Sequence, residues 1–155
     1  MALKVTGLPQ MKRELLTIEK HFEEDAKELQ KDVVLTAFGF LATPANNRFG
    51  SPVDKGRYIA SHQFESTPQT DSAPDGLTEA QYEGIKESNR SDIKGKTFDF
   101  KNATFYIANN VAYAEALEAG RSPQAPGQNA IYGKAEKLTQ KYVRQEIAKL
   151  SKKRY

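Results

Sequence analysis

Between Leu8 and Phe40 the residues Leu8, Met11, Leu15, Ile18, Phe22, Ala26, Leu29, Val33, Ala37 and Phe40 follow one another at steps of three or four. That period places them along one face of an α-helix. Pro9 sits in the first turn, where a missing N–H costs nothing. The pattern weakens at Gly39 and must stop before Pro44, so a helix is expected over about residues 8–42. About 30 helical residues extend about 45 Å. A chain of 155 residues forms one small domain, and such a domain rarely covers a stripe of that length by itself. Part of the stripe is therefore expected to pack on a neighbouring subunit. The alternative is a helix lying wholly across its own sheet.

After this helix the punctuation changes. Pro44, Asn46, Asn47, Gly50 and Pro52 break regular structure. "SPVDKGRYIAS" reads as a turn leading into an ordered segment. Asp54 is placed to cap amide groups, and Gly56 permits a positive φ or a close approach. A first strand is expected within residues 61–65. Residues 66–96 read mainly as a long loop or hairpin arm. Within it, Thr78 and Gln81 have the spacing of a capping box for a short helix, and "SDIKGK" reads as a further turn. "KTFDFKN" alternates through Phe98 and Phe100, and "ATFYIANN" follows a tight turn near Lys101 and Asn102, so the two are expected to form a hairpin. A short helix is expected over about 111–119 and a closing helix over about 130–150, with Ile131, Ala135, Leu138, Tyr142 and Ile147 on its apolar face.

The expected fold is thus α+β in a single domain spanning 1–155: long N-terminal and C-terminal helices packed on a small, mostly antiparallel sheet, with the sheet and its loops over about 52–110. The formal net charge is only +3, but residues 134–155 hold eight Lys/Arg against two Asp/Glu. Lys149, Lys152, Lys153 and Arg154 make that end a candidate contact for DNA or for an acidic partner, or a solvated helix end whose cations complement the helix dipole.

Chemistry is sparse. There is no cysteine, hence no disulfide and no thiolate metal site, which fits a reducing cytoplasm or a particle assembled there. No run of about 18 apolar residues is present to cross a membrane. The N-terminal stretch has no apolar core of a signal peptide, so none is expected. The two histidines, His21 and His62, share no metal-ligand spacing with acids. No phosphate-binding loop or nucleophile elbow occurs. Glu115 and Glu118 are three apart and so share a helix face, as paired acids can, but nothing around them marks a cleft, and ordinary surface carboxylates are the expected reading. No catalytic residue, cofactor site or metal site is assigned.

Two stretches carry a resemblance. "SPVDKGRYIASHQ" (51–63) resembles a Pro-Val-Asp-x-Gly-Arg-Leu-x-x-Ser signature, and "NNVAYAEALEAGRSPQAP" (109–126) resembles Asn-Asn-x-x-Tyr-Ala followed by Glu, Gly, Ser/Thr and Gln-Ala-Pro. Both signatures belong to the tail-completion or head–tail joining proteins of lambda-like siphophages. The matching positions are Pro52, Val53, Asp54, Gly56, Arg57 and Ser61, then Asn109, Asn110, Tyr113, Ala114, Glu118, Gly120, Ser122, Gln124, Ala125 and Pro126. The chain departs from the family at Ala112, where Pro is frequent, in the "GQNAIYG" that follows Pro126, and in the length of the 66–96 segment.

The resemblance implies a non-enzymatic virion protein, assembled in the host cytoplasm and placed in the neck. It implies a closed homo-oligomeric ring, a hexamer in that family. Its partners would be the tail tube protein, the head-closure and connector proteins, and the DNA that passes without sequence readout; no membrane is involved. A tail terminator and a head-closure ring are neighbouring alternatives, and a small basic nucleic-acid-binding protein is a more remote one. On this reading Asp54 and Arg57 hold the loop before the sheet as an ion pair. Tyr113, Ala114 and Leu117 dock inward, Gly120 turns the chain, and Pro123 and Pro126 stiffen an arm.

Overall fold

The computed structural model describes residues 8–44, 56–65, 72–99, 106–121 and 130–153. Helix α1 (Leu8–Leu41) is followed by α2 (Arg57–Ala60), strand β1 (Gln63–Glu65), α3 (Glu79–Gly95), strand β2 (Tyr106–Ala108), α4 (Ala114–Glu118) and α5 (Ile131–Lys153). Of the described residues 72% are helical, so the α+β arrangement is weighted heavily to its helices. β1 and β2 pair antiparallel, with Phe64 opposite Ile107. Among the described residues no helix is long and apolar enough to cross a membrane.

The C-terminal half of α1 is the hub. On one side Val34, Phe38 and Ala42 bury against Ile59, Phe64, Ile93 and Phe98. On the other, Leu41 buries against Tyr58, Val111, Leu117, Ile131 and Ala135. Since Leu41 meets the start of α5 while Tyr142 lies beside Asp32 and Thr36, the two long helices run antiparallel. They pack chiefly on one another, and the two-stranded ladder meets α1 through Phe64 and Ile107.

Three expectations need correction. The short helix expected after Thr78 is a 17-residue helix, Glu79–Gly95, that runs on through "SDIKG", where a turn was expected. Its capping box is present: Thr78 N donates to Gln81 Oε1 at 2.9 Å, and Gln81 N donates to Thr78 Oγ1 at 3.4 Å. Tyr82 and Ile93 are buried on its inner face, and at the inward position between them Asn89 Nδ2 donates to the carbonyls of Ala60 and His62, both at 3.0 Å. Those acceptors lie at the end of α2, where helical carbonyls lack partners. β2 pairs with β1, and residues 97–99 form no strand; Phe98 instead buries beside Phe64, ring centroids 5.7 Å apart. The short fourth helix spans only Ala114–Glu118, whereas α5 reaches Lys153.

Candidate functional site

Gly56 opens the first motif with φ +91°, the left-handed region that glycine alone adopts freely. A Cβ there would stand 3.2 Å from Tyr82 Cβ, so α3 would have to give by a few tenths of an ångström to admit one. Gly56→Ala is expected to cost about 1–3 kcal/mol, from the left-handed penalty plus displacement of Tyr82. Urea denaturation checks it: an unchanged midpoint at unchanged slope contradicts the packing.

Arg57 and Ser61 pin the chain ahead of α3. Arg57 Nε donates to Ala73 O at 3.0 Å, and its guanidinium lies 3.2 Å from Asp75 Oδ2. Asp75 is largely exposed, so this pair contributes little beyond orientation. Asp54, the expected partner, lies outside the described residues, as do Pro52, Val53, Ser122, Pro123, Gln124, Ala125 and Pro126. Ser61 Oγ donates to Arg57 O at 2.8 Å and accepts from Ala73 N at 2.9 Å, entirely buried.

The second motif closes on the first. Asn109 Nδ2 donates to Tyr58 O at 2.7 Å, while Asn109 Oδ1 accepts from Val111 N at 3.2 Å. One side chain thus fixes α2 and turns the chain after β2. Ala114 and Leu117 face the core, but Tyr113 stays partly exposed, its ring 6.4 Å from that of Tyr58. Asn110 is exposed. Gly120, at φ +77°, ends α4: its N donates to Leu117 O and Arg121 N donates to Ala116 O, the paired bonds of a Schellman motif. Glu118 then ties α4 to α5, accepting from Tyr132 N at 3.3 and 3.4 Å and from Tyr58 Oη at 3.5 Å.

His62, Tyr58 and Tyr132 complete the junction, and sequence reasoning assigned none of the three a role. His62 is wholly buried. Its Nδ1 lies 2.9 Å from Tyr132 Oη and 3.4 Å from Asn109 Nδ2. The amide can only donate, so Nδ1 is the acceptor and Nε2 carries the proton. Tyr58 and Tyr132 meet the imidazole edge-on, with centroids 5.0 and 5.6 Å away. Burial pushes the His62 pKa down to about 3. Burial pushes the hydroxyls of Tyr58 and Tyr132 far above the usual tyrosine range, with further contributions from Tyr132, Glu118 and Tyr113 for Tyr58 and from Glu118 for Tyr132. At neutral pH the imidazole is therefore neutral and both phenols are protonated. Such groups hold a structure together; they are not poised for proton transfer at neutral pH.

Glu115 is exposed and Glu118 is turned into the junction, so the two do not pair. Among the described residues no group of three or more His, Asp or Glu side chains is placed to hold a metal ion. At the other end of α5, Lys149 and Lys152 are exposed. Lys149 Nζ is 2.6 Å from Glu146 Oε1, and that hydrogen bond raises its pKa. The Lys153 side chain and Arg154 lie outside the described residues.

Two features lie beyond this junction, the second of them bordering it through Tyr132. Along the N-terminal half of α1, Leu15, Ile18 and Phe22 are 57%, 60% and 63% exposed. Between the C-terminal half of α1 and α5 runs an open groove of about 590 Å³, lined by Val33, Ala37, Leu41, Ala135, Thr139 and Val143 among others. Compared with protein-family models, curated proteins and solved structures, the chain matches none.

Proposed function

We propose that this chain is a structural protein of a tailed-phage neck, a subunit of a homo-oligomeric ring that completes the tail and joins it to the head connector around the DNA channel. The observation that carries the reading is the half of α1 left bare: three large apolar side chains in line, each more than half exposed. Contiguous exposed apolar surface marks an interaction site, and a ring subunit needs such surfaces unfinished in a single copy. The resemblance supplies the second support. Its two motifs, about fifty residues apart, meet through Asn109 and Tyr58, as expected of signatures that maintain one framework. The buried junction fits a mechanical part, because its titratable groups are locked by burial.

The test is electron microscopy of siphophage tail tubes, polymerised from a tail tube protein, with this chain added. Added density is expected at one end of each tube and nowhere along it. Bare tubes in the presence of excess protein overturn the reading. The exposed cations Lys149 and Lys152 favour a second reading, binding of DNA by the isolated chain. That reading requires affinity that falls steeply with salt.

A further inference from the structure

We propose that the outer face of α5 is a contact surface for the phosphate backbone of duplex DNA, carried by Lys134, Lys137, Lys141, Arg144 and Lys152. These residues stand at i, i+3, i+7, i+10 and i+18, so at about 100° per residue they share one arc of the helix, roughly 80° wide. They extend about 27 Å along its axis. Ala148, at i+14, fills the same arc. Ile131, Ala135 and Tyr142 mark the opposite side, which is turned to α1. Lys137, Lys141, Arg144 and Lys152 are exposed, and Lys134 is half-buried. The shallow hollow along this face is lined by α5 residues alone.

Two observations set the face apart. Elsewhere on the surface cations find acids: Lys20 meets Glu24, Arg57 meets Asp75 and Lys149 meets Glu146. Among the described residues none of the five has such a partner. The two acids of α5 are engaged off the arc, Glu136 by Gln140 Nε2 at 3.0 Å and Glu146 by Lys149. Charge is also concentrated here. Residues 134–155 hold eight Lys/Arg against two Asp/Glu, while the rest of the chain is net negative. Like charges three and four apart on a helix repel, and a polyanion laid along them removes that cost.

The composition of the arc selects the polyanion. Protein interfaces centre on aromatic and apolar anchors and are poor in Lys; this arc is four Lys, one Arg and one Ala. A helix that lies on a membrane inserts an apolar face, and that of α5 is occupied by α1. No aromatic ring interleaves with the cations to stack the bases of a single strand. Duplex DNA presents one charge per about 1.7 Å of its axis, a density that a straight row of cations can neutralise. With α1 behind it, α5 lies across the backbone rather than inside a groove, so no base sequence is read. The surface is distinct from the C-terminal cations beyond it, and it does not rest on the neck reading, with which it is compatible.

Fluorescence anisotropy of a short labelled duplex with the full chain, over a series of NaCl concentrations, tests the proposal. With five phosphates neutralised, affinity is expected to fall roughly 500-fold between about 50 and 200 mM NaCl, a log–log slope of about −4.5. Two unrelated sequences are expected to bind alike. Lys137→Gln with Lys141→Gln and Arg144→Gln is expected to reduce the slope by about 3 and to weaken binding at low salt roughly tenfold or more. Lys12→Gln with Arg13→Gln and Lys27→Gln changes net charge equally at exposed positions of α1 and is expected to leave the slope unchanged. Circular dichroism reads whether each variant remains folded. Absence of binding at low salt overturns the proposal, as does equal loss from the two triple variants or undiminished binding by the α5 variant. Tighter binding of a single strand, of polyglutamate or of phosphatidylserine vesicles at equal charge overturns the assignment to duplex DNA. Capping of tail tubes by a chain that binds no DNA overturns this contact alone; salt-dependent binding localised to α5 without capping supports the contact and overturns the neck reading.

Discussion

Titration from neutral pH towards pH 3 is expected to unfold the protein through His62. The folded-state pKa is about 3 against an ordinary value of 6.5. Above about pH 6.5 the imidazole is neutral in both states and contributes no pH dependence. Below it the unfolded chain takes up a proton that the folded chain refuses. Stability is therefore full above pH 6.5 and falls by about 1.4 kcal/mol per pH unit as the pH drops towards 3, of the order of several kcal/mol in all. The geometry gives the reason. Nδ1 is met by Tyr132 Oη and Asn109 Nδ2, so a second proton there would face two donors in a site without water access. Urea denaturation at a series of pH values measures the slope, and His62→Gln provides the control. The variant should be less stable at neutral pH and lose most of the slope between pH 6.5 and 4, leaving the contribution of the carboxylates. Equal slopes in the two proteins would show that His62 titrates normally and that the junction is open to water.

That junction was only half legible in the sequence, for reasons tied to particular residues. The long helices were readable because their apolar steps are local: α1 ends within a residue of the expected limit, and α5 starts where Ile131 begins the pattern. Gly56 and Gly120 were readable because positive φ is a backbone demand that few residue types meet. α3 was half hidden, because Asn89 occupies an inward position that periodicity reserves for an apolar side chain. Its task, satisfying the carbonyls of Ala60 and His62, arises only once α2 and β1 lie beside it. The partner of β2 was misread because a hairpin is the nearest pairing, whereas Phe64 and Ile107 meet across 43 residues of chain. His62 carried no signal at all. A lone histidine becomes notable through its partners, and these are 47 and 70 residues away.

Phe38 and Phe22 provide the sharpest contrast, since they share one helix and one residue type. Phe38 is 1% exposed and packs between α2, β1, α3 and the 96–99 segment. Phe22 is 63% exposed. Phe38→Ala is expected to cost about 3–5 kcal/mol, the transfer of a large ring plus a cavity that surrounding elements cannot all close. Phe38→Leu should recover most of that by keeping the volume partly filled. Phe22→Ala in the monomer should change stability by no more than about 0.5 kcal/mol, as exposed positions do. Denaturant midpoints at dilute concentration, where copies stand apart, measure all three. As the protein is concentrated, the difference between Phe22→Ala and the parent should grow, because association adds stability to the folded state by mass action. A loss of several kcal/mol for Phe22→Ala in dilute solution would mean that the N-terminal half of α1 folds back on its own chain. With it would go the argument that this surface exists for another copy.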